Sequence, residues 1–206
     1  MNVRINAPAT PHWQVDVEAC SALDVVDALE VPTVESAAEF DRVQPALVRT
    51  LPLQAPVETP RRIQAVDEIA TAGFERLLFG AADYCAAVGA PPSNDLFAYT
   101  RARPVVASAV GGLPIPVDGP TTVFDDLAQL RRDLNAARTL GMGGKLCVHS
   151  TQLSGAREAF APSDVERAWA TRLVDAAEFH RGAAFSLDGQ MIDEPVVERA
   201  MRILRS

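Results

Sequence analysis

Residues 53–85 read LQAPVETPRRIQAVDEIATAGFERLLFGAADYC, and the fold is decided by this stretch. Leu53–Glu58 is a short run bounded by prolines, and Arg76–Phe79 is an apolar run that ends at Gly80. Both read as strands. Between them Arg61–Thr71 follows Pro60, a residue suited to a first helical turn, and reads as a helix. Strand, helix and strand at this spacing make a parallel βαβ unit with a right-handed connection.

The alternation continues on both sides. Val3–Ile5, Ala28–Val34, Ile115–Asp118 and Lys145–His149 are further strand candidates, giving six in all. Ser36–Val48 reads as a helix behind a serine cap. In Asp126–Leu140 the residues Leu127, Leu130, Leu134, Ala137 and Leu140 recur at helical spacing, and Gly141 stops the run. The last quarter departs from this pattern. Ser163 and Glu166 predict a capping box for a helix whose stripe includes Val165, Trp169 and Leu173. An extended segment follows over Ala184–Ile192 with Gly189 near a turn, and a final helix begins near Pro195. The predicted division is an α/β body over residues 1–160 and a helix–hairpin–helix tail over 161–206.

Composition narrows the function classes. The chain has 206 residues, 48% of them hydrophobic, and a formal net charge of −8. That balance predicts a folded core and offers no basic footprint for nucleic acid. Lys145 is the only lysine, and arginine supplies the other side-chain cations. The N-terminus lacks the pattern of a signal peptide, and no apolar run nears the roughly 18 residues of a membrane helix. Cys20, Cys85 and Cys147 lack zinc-ligand spacing and read as reduced, buried thiols, so a cytoplasmic location is expected.

Four residues carry candidate chemistry. Glu58 and Asp83 follow consecutive strands, at the end where barrel and open α/β enzymes build their sites. Two such carboxylates can hold one Mg²⁺ and leave positions for water and substrate. Alternatively, Glu58 caps a helix and Asp83 turns a loop. Arg4 lies inside the short strand of VRIN, where a cation needs a partner. It either grips a substrate carboxylate or makes a structural ion pair. Asp193 stands just before Pro195 and reads on its own as a helix cap. Lys145 and His149 would flank the last strand of the body. His149 reads as a hydrogen-bonded structural residue. His12 reads as a loop residue, the tryptophans read as packing, and GMGGK lacks the full phosphate-loop pattern.

Taken together, these blocks resemble the citrate lyase beta-subunit-like branch of the HpcH/HpaI aldolase superfamily. VRINAPATPHW resembles its VRIN-x-P-x-T segment, VPTVES its VLPKVES, PVETPRRI its ALIETARG, and LLFGAADYCAAVG its LAFGSVDFALDLG. LPIPVDGPTTVFDD, GMGGKLCVHSTQ and FSLDGQMIDEPVVERAMRIL resemble its seventh strand, eighth strand and tail, in the same order. The resemblance implies a TIM-barrel-like (β/α)8 fold, here incomplete. The FVPG-like and DLEDAV-like strands that precede VRIN in the family have no counterpart, so only six strands are seen.

The same resemblance implies that Glu58 and Asp83 are Mg²⁺ ligands and that Arg4 holds the keto-acid portion of the substrate. Asp193 would reach over a neighbouring subunit's site as an acid or base, with the tail as a lid in a homo-oligomer, a trimer or hexamer. The implied reaction is carbon–carbon cleavage of a β-hydroxyacyl-CoA such as malyl-CoA or citramalyl-CoA, releasing a 2-keto acid; a thioesterase outcome uses the same scaffold. Two alternatives stand beside it: a CoA-independent pyruvate aldolase, and a shortened paralogue without turnover. Thr33, Arg62 and Ser150 depart from the lysine, glycine and proline usual at those motif positions. These departures are expected to leave the metal ligands intact.

Overall fold

The structure is a computed structural model that describes residues 1–180 and 183–205. The chain opens with β1 (Asn2–Arg4), α1 (Trp13–Ser21) and β2 (Ala28–Glu30), then α2 (Ala38–Val43) and a 3-10 turn over Gln44–Ala46. There follow β3 (Leu53–Val57), α3 (Pro60–Gln64), α4 (Val66–Thr71), β4 (Arg76–Phe79), α5 (Ala81–Val88) and α6 (Asn94–Val110). β5 (Val117–Asp118), α7 (Leu127–Thr139), β6 (Gly144–Lys145) and α8 (Leu153–Phe160) come next. The tail holds α9 (Asp164–Phe179), β7 (Phe185–Leu187), β8 (Gln190–Ile192) and α10 (Glu194–Arg205). Two compact units result, Met1–Arg157 and Glu158–Ser206, with a boundary three residues before the predicted one.

In the first unit the six strands lie in sequence order, β1 to β6, and every neighbouring pair is parallel. The result is a curled half of a (β/α)8 barrel. All five residues of β3 are buried, as are Leu77, Leu78 and Phe79 of β4. Burial on both faces is the mark of a helix-covered parallel sheet, and it explains why these strands read as continuous apolar runs. Among the described residues β1 and β6 each have one sheet partner, so both edges are open.

Several expected elements are shorter than their sequence pattern. β2 stops at Glu30 rather than Val34, because Pro32 has no N–H to donate and Thr33 takes a φ of 57°. The predicted helix over Ser36–Val48 is confined to α2 and the 3-10 turn, where Pro45 interrupts it. Arg61–Thr71 is two helices, meeting at Ala65 with φ −83° and ψ 4°. α6 is a 17-residue helix that the sequence pattern does not reveal. Pro104 lies inside it and argues against a helix locally, yet the Ser93 hydroxyl caps its start by accepting from the Leu96 N–H.

The second unit packs α9 against α10 and the β7–β8 hairpin. Ala170, Leu173, Ile192 and Ala200 form its core, with Trp169, Phe185 and Val197 around them. The predicted capping box is present: Ser163 Oγ accepts from the Glu166 N–H, and Glu166 Oε2 accepts from the Ser163 N–H. The hairpin turns on Asp188 and Gly189, at φ 50° and 78°, which is a two-residue turn of the type hairpins favour.

Candidate active site at the strand ends

Glu58 follows the last residue of β3, and Asp83 lies in the first turn of α5, just beyond β4. β3 and β4 are parallel neighbours, with Val57 beside Phe79. Both carboxylates therefore leave the same end of adjacent strands. Glu58 is 4% exposed, whereas Asp83 is exposed. A Cβ added at Gly80 would stand 2.2 Å from Glu58 Cβ and 2.8 Å from its Oε2. Glycine thus makes room for Glu58 against the turn that leads into Asp83. Thr59, not Glu58, caps the next helix: its hydroxyl accepts from the Arg62 N–H at 3.3 Å.

Glu58 is held by two arginines. Arg62 Nη1 donates to Oε1 at 2.6 Å, and Arg4 Nη2 lies 3.8 Å from the same oxygen. Oε2 takes no hydrogen bond among the described residues. Arg4 also pairs with Glu30 Oε1 at 3.1 Å. Its side chain is 53% exposed, so the expectation of an arginine enclosed in an apolar strand is corrected: β1 is an edge strand, and its guanidinium reaches water. Burial pushes the Glu30 carboxyl above its ordinary value; Arg4 draws it back, and the Glu58 charge adds to the rise.

The carboxylates fit a hard divalent cation in kind, since oxygen ligands suit Mg²⁺. Among the described residues no group of three or more His, Cys, Asp or Glu side chains could hold a metal unaided. A cation here would therefore draw its other ligands from water and substrate. Arg62 occupies one oxygen of Glu58 and leaves Oε2 without a hydrogen bond among the described residues.

Asp193 belongs to the second unit and precedes α10. Its carbonyl accepts from the Val196 and Val197 N–H groups at 3.1 Å. It lines a cavity of about 340 Å³ with Val174, Phe185, Val197 and Met201.

Lys145 is the last residue of β6. Its side chain is 1% exposed and donates to Asp118 Oδ2 at 2.8 Å and to the Gly119 carbonyl at 2.7 Å. Arg101 grips the same carboxylate at 2.8 and 3.1 Å. His149 is exposed, accepts from the Thr151 N–H and stacks on Phe124 at 5.1 Å. Sequence reasoning passed over Glu30, Arg101 and Asp118. The signal for Glu30 was a lone carboxylate inside an apolar strand run, the same cue that drew attention to Arg4.

Comparison with known proteins places the fold in a family. The HpcH/HpaI aldolase/citrate lyase family matches residues 1–150. A citrate lyase subunit beta-like protein of Deinococcus radiodurans is 34% identical over 98% of this chain and 73% of its own length. An L-malyl-CoA/beta-methylmalyl-CoA lyase of Cereibacter sphaeroides is 30% identical over 100% of this chain and 75% of its own. The crystal structure of CitE from Mycobacterium tuberculosis, in complex with magnesium, acetoacetate and coenzyme A, superposes with a TM-score of 0.83 at 30% identity. That match covers 99% of this chain and 76% of the other. The chain belongs to the HpcH/HpaI aldolase/citrate lyase family, on the citrate lyase beta-like branch whose relatives are carbon–carbon lyases.

Proposed function

We propose that this protein is a Mg²⁺-dependent lyase that splits a β-hydroxyacyl-CoA, such as malyl-CoA or citramalyl-CoA, into a 2-keto acid and an acyl-CoA. The observation that carries the reading is the joint position of Glu58 and Asp83 after adjacent parallel strands, with the Arg4 guanidinium against the Glu58 carboxylate. Relatives named as lyases support it, as does a neighbour solved with magnesium and coenzyme A.

Glu58, through its free Oε2, and Asp83 would hold the metal. When bound, Mg²⁺ supplies Lewis-acid polarisation of the oxygen that becomes the keto carbonyl. Arg4, steadied by Glu30, would turn its remaining N–H donors to the carboxylate of the keto-acid portion. The substrate hydroxyl gives its proton to a water molecule as the carbon–carbon bond breaks, and the bonding pair passes to the acyl-CoA as an enolate. Asp193 would return a proton to that enolate carbon as general acid. By the resemblance to the family, we assign its action to a neighbouring subunit's site in a homo-oligomer, a trimer or hexamer. No helix among the described residues is long and apolar enough to cross a membrane. The free thiols of Cys20, Cys85 and Cys147 support our proposal of a cytoplasmic location.

A panel of CoA thioesters incubated with and without Mg²⁺ tests the reading. Metal-dependent release of a 2-keto acid together with a shorter acyl-CoA is expected. Release of free coenzyme A without a 2-keto acid would make the protein a thioesterase instead. A second reading, a paralogue without turnover, is favoured by Arg62 on Glu58. No product from any thioester would decide for it.

A further inference from the structure

Arg62 is a buried cation placed on the one oxygen of Glu58 that faces it. It lies four residues after Glu58, is 2% exposed, and its Nη1 stands 2.6 Å from Oε1. Its Nε is buried without a hydrogen-bond partner. A guanidinium that leaves one donor unmet has been positioned by its remaining contact, the short charged bond to Glu58. Arg4 approaches the same oxygen, and Glu30 balances Arg4. Two carboxylates and two guanidinium groups thus cancel before any metal arrives.

We propose that Arg62 is a built-in counter-cation that competes with the divalent metal for Glu58 and sets the metal affinity of the site. The proposal rests on the reading of Glu58 as a metal ligand. The physical ground is direct. A cation arriving at Oε2 meets a carboxylate whose charge is already neutralised, and it meets the guanidinium charge across the same group, in a buried site where screening is weak. Arg62 is here a positioning residue: it touches Glu58 and acts on the metal through it.

The test is Mn²⁺ titration of the purified chain, followed by electron paramagnetic resonance of the free ion. Arg62→Gln and Arg62→Gly should bind Mn²⁺ at least tenfold more tightly than the native protein. Arg62→Lys keeps the charge on a more mobile stem and should fall between the native protein and the neutral variants, which a merely structural role would not produce. Arg61→Gln is the control for general charge removal, since Arg61 is exposed and paired with Glu35; its affinity should stay native. Arg62→Lys preserves the buried cation, so it retains a readable fold if the neutral variants unfold. Affinities within twofold across all Arg62 variants would overturn the counter-cation and leave the metal site standing. No Mn²⁺ binding by the native protein or any folded variant would overturn both.

Discussion

Arg4 and Glu30 occupy the same register position on two parallel neighbours, and their side chains meet at 3.1 Å across the β1–β2 pair. The pair is exposed on the arginine side, so its net stabilising effect is at most about 1 kcal/mol. Arg4→Lys should therefore melt close to the native temperature. An ammonium cannot reproduce a planar two-point grip on a carboxylate. The same variant should raise KM for the hydroxyacyl-CoA by about tenfold or more, at about 1.4 kcal/mol per decade. Native KM and kcat in Arg4→Lys would remove Arg4 from substrate binding.

Asp118 accepts from Arg101 and Lys145 and is fully buried between them. Removing its charge leaves two enclosed cations without their partner. Breaking a buried pair in this way costs about 3–5 kcal/mol. Asp118→Asn should lower the melting temperature by roughly 10 °C, taking about 2–4 °C per kcal/mol for a chain of this size. Lys145→Met should cost less, because Arg101 still neutralises the carboxylate. Equal melting temperatures for both variants and the native protein, read by circular dichroism, would show that the cluster contributes nothing.

How much of this was legible in the sequence follows from where the physics is local. The strand starts and the capping box are set by neighbouring residues, and Ser163 with Glu166 announces α9 unaided. β3 and β4 stand out because burial on both faces demands unbroken apolar runs. Strand ends were overextended because Thr33 with positive φ is a backbone state that residue type does not predict. α6 escaped because Pro104 is a local veto overruled by burial of Phe97, Thr100 and Arg101 around it. In the site, Glu58 and Asp83 were readable from their positions after strands. Arg62 was visible as a departure, but its contact with Glu58 needed the helix that brings positions i and i+4 together. Asp118 and Lys145 are 27 residues apart and meet only through the register of β5 and β6.

Glu58→Gln and Asp83→Asn should each weaken Mn²⁺ binding by about tenfold or more, since each would remove one of the two proposed charged ligands. Their effects on stability should differ. Glu58→Gln strands the buried Arg62 and should destabilise by about 3 kcal/mol, whereas Asp83 is exposed and its variant should melt like the native protein. Unchanged metal affinity in Asp83→Asn would remove it from the ligand set.

Asp193→Asn should abolish exchange of the acyl-CoA α-proton with solvent deuterium while leaving Mn²⁺ affinity native, because a general acid is not a metal ligand. If the residue serves a neighbouring subunit, mixed oligomers of Asp193→Asn and an Arg4 variant should regain part of the native rate. Verified mixed oligomers without recovery would count against a shared site.

The open edges carry the last prediction. Ile5 donates its N–H to the Glu30 carbonyl, and the Met1 carbonyl accepts from Asp27, so the backbone of odd-numbered residues in β1 faces β2. In a strand the alternate residues face the other way, which leaves Asn2 and Arg4 with their backbone groups on the free edge. Unpaired strand edges template association with other chains. The protein should therefore sediment as a concentration-dependent oligomer rather than as a monomer. Asn2→Pro removes an outward N–H and should shift the population toward monomer without disturbing the β1–β2 pairing, since none of the bonds to β2 uses that donor. Analytical ultracentrifugation of the two proteins across a concentration series reads this directly. A native protein that stays monomeric at the highest concentration would show that neither edge recruits another chain. An oligomer untouched by Asn2→Pro would move the interface away from β1.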